Sequence, residues 1–144
     1  DLHAMAVYLK SLAASEPPHA SRRMRVSVRE AALMQKRGAD IYGEHCAQCH
    51  GDNGEGRAPA APALAGNRAV TMTSPVNPIR LMLFGGYTPG TVGNPRPFGM
   101  PPFSQSLSDQ QIADVLTYVR SSWGNEAQPV TVIDVTRNRA GPLW

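Results

Sequence analysis

The chain has 144 residues, of which 42% are hydrophobic, 17% charged and 6% aromatic, enough for one domain and unlike a disordered polyelectrolyte. No apolar run approaches the roughly 18 residues that a bilayer-spanning helix needs, and the formal charge of +3 comes with no basic face interleaved with aromatics, which excludes a nucleic-acid binder. With 13 Gly, 13 Pro and so few aromatics the polypeptide core is thin, and a bound group is expected to complete it.

Residues 2–12 read as an amphipathic helix with Leu2, Met5, Ala6 and Leu9 on one stripe. Residues 13–27, with Pro17-Pro18 and most of the cluster Arg22, Arg23, Arg25 and Arg29, which runs on into the next helix, have linker composition. A second helix is predicted from Val28 to Gly43, with Ala31, Met34, Gly38, Ile41 and Tyr42 at helical spacing. A Gly/Ala/Pro-rich loop follows over 51–70. Asn77-Pro78 is a good start for a third, short helix that carries Ile79, Met82 and Leu83 and stops at Gly85-Gly86. The proline-rich stretch 87–105 is expected to be extended.

The last helix has the clearest signal. Ser108 to Gln111 forms a capping box, and Ile112, Val115, Leu116 and Val119 give the stripe of an amphipathic helix that ends near Trp123-Gly124. The tail, 125–144, holds a β-prone stretch from Val130 to Val135 without a recognisable partner strand. Shifted by 110 residues, the first helix lies over the last: Leu2 on Ile112, Met5 on Val115, Tyr8 on Tyr118, Leu9 on Val119 and Ser11 on Ser121. The chain also lacks an initiator Met and starts in mid-helix, so it reads as a processed product or a fragment. The expected organisation is the closing helix of an upstream copy (1–12), a linker (13–27), one domain (28–124) and a tail (125–144).

Chemistry concentrates in Cys46-Ala47-Gln48-Cys49-His50, which contains both cysteines of the chain. A C-x-x-C pair alone fits a redox dithiol, half a zinc site or a haem attachment. Here the pair follows a helix and opens a loop, unlike a thioredoxin-type site. His3, His19 and His45 supply no second ligand pair for zinc. C-x-x-C-H is the pattern of covalent c-type haem, in which two thiols bond the porphyrin vinyls and the adjacent His ligates iron. A single haem c, attached through Cys46 and Cys49 with His50 as proximal ligand, is therefore expected. Of the six Met, Met100 best fits the opposite axial position, because Pro97-Phe98-Gly99-Met100-Pro101-Pro102-Phe103 is a stiff loop just before the last helix. Met34 and Met82 sit in apolar stripes, and Met72, also in a loop, is the alternative. Met34, Leu64, Met82, Leu83, Phe98 and Leu116 are expected to line the pocket, and Ala58 to Ala61 to form an apolar docking collar.

The order Gly38-x-x-x-Tyr42-x-x-x-Cys46-x-x-Cys49-His50-Gly51, then Pro62-x-Leu64-x-Gly66, Gly99-Met100-Pro101 and a capped helix with Tyr118 resembles class I cytochrome c over residues 28–124. The resemblance implies an all-α fold of three to four helices around one haem, with long Pro/Gly-rich loops. It also implies that Gly38 lets its helix cross the last one closely near Tyr42 and Tyr118, and that the Pro62 carbonyl accepts the Nδ1–H of His50. The stretch from Leu107 to Asn125 looks like the last haem domain of the multihaem cytochrome c subunits of bacterial membrane-bound dehydrogenases of the alcohol, gluconate and sorbitol type.

That likeness implies a function: one-electron transfer with no substrate chemistry of its own, at the periplasmic face of the inner membrane, between a dehydrogenase or another haem domain and a quinone or other acceptor of the respiratory chain. Association with the membrane would come through the larger complex. The alternatives are a free-standing periplasmic shuttle and a ligand-binding or catalytic haem protein with a displaceable Met100. Neither the 87–99 segment nor the tail has a role in the class I pattern.

Overall fold

A computed structural model describes residues 2–12, 26–87, 90–93, 95 and 98–140. The described residues form helices α1 (Leu2–Ser11), α2 (Val28–His45), α3 (Ala47–His50), α4 (Arg68–Thr71), α5 (Val76–Phe84), α6 (Asp109–Ser121) and α7 (Val132–Arg139). Two short strands, β1 (Gly86–Tyr87) and β2 (Gly99–Met100), complete the set. The fold is predominantly helical, as the resemblance stated above implies. None of the described helices is long and apolar enough to cross a membrane.

Local sequence explains where the two long helices begin. Ser27 caps α2 by accepting from the Glu30 amide at 3.2 Å. Ser108 and Gln111 exchange the two bonds of a capping box at the start of α6. The buried stripes are Met34, Gly38 and Tyr42 on α2 and Ile112, Val115, Leu116 and Val119 on α6, and these faces pack on each other. Gly38 sits at the crossing. A Cβ built there would lie 2.2 Å from the Asp114 carbonyl oxygen and 2.7 Å from the Tyr118 Cβ, so only glycine allows this approach. Beside it, Arg37 on α2 grips the buried Asp114 carboxylate of α6 at 2.7 and 2.9 Å, and Gln110 Nε2 donates to the same carboxylate at 2.8 Å. Tyr42, Tyr118 and Trp123 close the crossing as three mutually tilted rings with centroids 5.0 to 5.5 Å apart.

Two readings of the sequence require correction. The short helix α5 begins at Val76 rather than at Asn77-Pro78, and Pro75 at its cap position offers no side-chain bond, so Pro78 falls inside the first turn. It ends as expected at Gly85, whose φ of 69° suits a residue without a Cβ. The stretch read as extended is strand where Tyr87, with Gly86 just before it, pairs antiparallel with Gly99 and Met100; residues 88, 89, 94, 96 and 97 lie outside the described ones. The β-prone stretch 130–135 becomes the start of α7. There Thr131 and Asp134 form a second capping box, and its paired bonds override the strand preference of the flanking Val and Ile. Val130 and Val135 are fully buried, and α7 packs against both α5 and α6. The core therefore continues through the segment expected to be a tail.

One further feature escaped the sequence reading. Arg120, in the last turn of α6, is completely buried. It donates to the carbonyls of Val70, Met72 and Gln128, tying α4 and the loop after it to the chain that leaves α6. In α1 no side chain is buried: Leu2, Met5 and Leu9 of the expected stripe are all exposed. Of the expected linker, residues 13–25 lie outside the described ones.

Gly38→Ala tests the crossing. Alanine favours the helix by about 1 kcal/mol, but the clash is with backbone and cannot be relieved by a rotamer change. A net loss of about 2 kcal/mol in denaturant unfolding is expected, on the scale of an overpacked core. An unchanged or higher midpoint would mean that the helices are free to separate.

Candidate cofactor site

The end of α2 delivers the first cysteine. The Cys46 amide closes the helix on the Tyr42 carbonyl at 2.9 Å, and the Cys46 carbonyl then accepts from the Cys49 and His50 amides at 3.1 and 2.9 Å. One tight turn thus carries both thiols and the imidazole. The two cysteines are free thiols; Cys46 is buried and Cys49 exposed. Burial, and to a lesser degree the neighbouring Cys49, pushes the Cys46 thiol up to about 11, so it is a protonated thiol rather than a standing thiolate. Below this turn the buried Tyr42 hydroxyl donates to the Gly51 carbonyl at 2.6 Å, and burial raises its pKa so that it remains a donor.

His50 is half-buried, with Nδ1 2.9 Å from the Pro62 carbonyl oxygen. A carbonyl only accepts, so the proton sits on Nδ1 and the lone pair on Nε2. Pro62 is brought there by a loop folded back on itself: the Gly56 amide donates to the His50 carbonyl at 2.7 Å, and the Leu64 and Ala65 amides donate to Gly54 at 2.7 and 2.9 Å. Asn125, only 4% exposed, locks the far side of this loop. It accepts from the Gly66 amide at 2.9 Å and donates to the Leu64 and Val119 carbonyls at 3.1 and 2.8 Å. Its location just past α6 gave no signal in the sequence beyond its place after Trp123-Gly124.

Cys46, Cys49, His50 and Pro62 therefore come together around one turn, whereas Met100 belongs to a separate group of elements. It is half-buried in β2, opposite Gly86, and packs against the core. A Cβ on Gly85 would lie 2.5 Å from the Met100 carbonyl, so the end of α5 also abuts this strand. The Phe103 amide donates to the Met82 carbonyl at 2.8 Å, and the Phe103 ring meets that of His45 at 6.2 Å edge-on. The loop after Met100 thereby touches the end of α2 that leads into Cys46. Met34 and Met82 are buried, and Met72 is 46% exposed. Phe98, expected in the pocket lining, is instead 68% exposed; of the expected collar, Ala58 and Pro59 are exposed and Ala60 and Ala61 half-buried.

The donor set fits a covalent haem. Two unpaired thiols three residues apart can each add to a vinyl group, and an adjacent imidazole with a fixed Nδ1–H offers Nε2 to iron. Among the described residues, no three His, Cys, Asp or Glu side chains cluster as a zinc cage needs.

Asn125→Ala removes three bonds from backbone groups at the loop that carries Pro62. A loss of about 3 kcal/mol in unfolding free energy is expected, at roughly 1 kcal/mol per bond. Thermal melts of the variant that match the parent would show that the loop holds itself.

Comparison with known proteins gives the same answer. The cytochrome c family model matches residues 35–123. The cytochrome c subunit of the quinone-dependent alcohol dehydrogenase of Gluconacetobacter polyoxogenes is 41% identical over 147 residues, covering 96% of this chain and 31% of its own length. The gluconate 2-dehydrogenase cytochrome c subunit of Pantoea cypripedii is 35% identical, covering 96% of this chain and 33% of its own. Cytochrome c-552 of Thermus thermophilus is 32% identical over 120 residues, covering 78% of this chain and 80% of its own. The chain thus spans about a third of the dehydrogenase subunits it matches. It belongs to the cytochrome c family, an electron-transfer domain that holds haem c through Cys46 and Cys49.

Proposed function

We propose that this domain passes single electrons through a haem c whose iron His50 and Met100 would hold, with the Pro62 carbonyl fixing the His50 ring. The bound haem supplies the one-electron couple. The polypeptide would supply the two donors, the His50 Nε2 and the Met100 sulfur. The bond between His50 Nδ1 and Pro62 carries this reading, because it commits Nε2 to the metal and fixes the plane of the ring. A thioether is a weak donor and must be held by its surroundings. Met100 is braced by its pairing with Gly86, by the close approach of Gly85, and by the Phe103 bond to Met82. Met34 and Met82 are buried in the stripes of core helices, which leaves Met72 as the competing candidate. With both His50 and Met100 holding the iron, oxygen and peroxide would find no free position, which suits a carrier rather than a catalyst.

The names and lengths of the dehydrogenase relatives support a wider setting. In it, this chain is the terminal haem domain of a longer cytochrome subunit at the periplasmic face of the inner membrane. It takes electrons from a dehydrogenase or a neighbouring haem domain and hands them to a quinone or another acceptor of the respiratory chain. Helix α1 is then the closing helix of the preceding domain, which agrees with the exposure of Leu2, Met5 and Leu9. Two haem propionates offset most of the +3 charge of the chain, so docking rests on apolar contact around Ala58 to Ala61 more than on charge steering.

Two variants test these readings. Met100→Ala is expected to keep its haem, lose the near-infrared sulfur-to-iron band of the ferric form, and bind cyanide readily. If Met72→Ala does this and Met100→Ala does not, the ligand is Met72. Deleting residues 1–20 is expected to leave the visible spectrum and the stability of the haem domain unchanged; a loss above about 2 kcal/mol, the scale of a buried Leu, would make α1 part of this domain.

A further inference from the structure

The loop from Met100 to the start of α6 is held from three sides. Met100 pairs with Gly86 of β1, and Phe103 is bonded to Met82 of α5. The third side is α7. Arg139, in its last turn, donates through Nη1 to the Ser104 carbonyl at 2.6 Å and through Nη2 to the Leu107 carbonyl at 3.2 Å. Its Nε donates to Asp109 Oδ1 at 2.6 Å, and Thr136, one turn earlier on α7, donates to Asp109 Oδ2 at 2.5 Å. A single guanidinium therefore spans the loop and the first residue of the helix that follows it.

We propose that Arg139 is a positioning residue for the Met100 loop: through Ser104, Leu107 and Asp109 it keeps the loop closed, so that the sulfur stays on the iron. The proposal rests on the reading of Met100 as the distal ligand. Arg139 acts only through the loop. The planar fork explains the residue type, since three N–H directions reach three acceptors at once, whereas a Lys ammonium is a point charge that cannot span them. Burial disfavours the charged Asp109 carboxylate, yet the bonds from Thr136 and Arg139 outweigh it and hold the acid below its ordinary range. The clasp is thus an ion pair at neutral pH. The C-terminal segment gains a role by it, because α7 presents Thr136 and Arg139 to the loop while Val130 and Val135 anchor the segment in the core.

A loop that opens briefly lets an added ligand reach the iron, so the rate of displacement reads how often it opens. The test uses the full haem-loaded chain in the ferric state with added imidazole. Displacement of the sulfur is followed by loss of the near-infrared band, alongside denaturant unfolding. Arg139→Ala is expected to speed displacement about tenfold, the scale of one charge-assisted hydrogen bond lost from the closed loop. Arg139→Lys, which keeps the charge for Asp109 but cannot bridge the carbonyls, is expected to fall between Arg139→Ala and the parent. It also serves as the measurement if the alanine variant fails to fold.

Unchanged displacement in a destabilised variant would overturn the proposal and leave Arg139 a merely structural residue. So would lysine behaving as arginine does. Met100→Ala, measured alongside, separates the two levels. If the band survives that substitution, the ligand reading fails; if the band is lost there but Arg139 variants exchange at the parental rate, only the clasp fails.

Discussion

The rest of the structure depends on how closely α2 and α6 cross at Gly38. The absence of one Cβ brings the backbone of α2 onto the Asp114 carbonyl, and nothing larger than hydrogen fits the gap. That contact sets the height of α2 over α6. The height in turn decides where Tyr42 meets Tyr118 and Trp123, and where its hydroxyl reaches Gly51. Cys46 follows four residues after Tyr42 and is bonded to it through the backbone, so the turn carrying both thiols and His50 inherits its position from the crossing. The ion pair from Arg37 to the buried Asp114 reinforces the same junction. Arg37 remains partly exposed, so the pair is hydrated on one side and its cost of burial is limited.

Two loops carry the remaining residues of the proposed site, and each is secured by a residue that follows α6. Asn125 holds the loop of Pro62, and through it the imidazole of His50, while Arg139 holds the loop after Met100. The two clasps differ in kind. Asn125 is buried and makes neutral bonds to backbone, which fits a rigid support. Arg139 is partly exposed and charged, at the end of the last described helix, which fits a support that can let go. The proposed ligand pair would suit this asymmetry: an imidazole is a strong donor set in a fixed ring plane, whereas a thioether is weak and would depend on the loop that carries it.

Much of this was legible in the sequence because it is local. A cap at Ser27 and a capping box at Ser108 announce the two crossing helices, and C-x-x-C-H followed by Pro62 announces the site. What escaped was set by tertiary contacts or by a competing local signal. Val130 to Val135 reads as a strand on propensity, but Thr131 and Asp134 cap a helix, and the burial of Val130 and Val135 against α5 and α6 settles it. Asn125, Arg120 and Arg139 carry no signal in the sequence, because an Asn or Arg is ordinarily exposed and its backbone acceptors are set by the fold. The pairing of Gly86 with Met100 joins residues separated by the long loop, and no periodicity of two-residue strands could reveal it.

The account turns on which side chain stands opposite His50, and proton NMR of the ferrous protein reads this directly. A methionine bound to haem iron lies inside the ring current of the porphyrin, so its methyl protons are strongly shielded. With methyl-labelled methionine, the account predicts that one of the six Met methyl signals lies far upfield of the rest and is assigned to Met100 by substitution. Six signals all in the ordinary range, or an upfield methyl assigned to Met72, would contradict it.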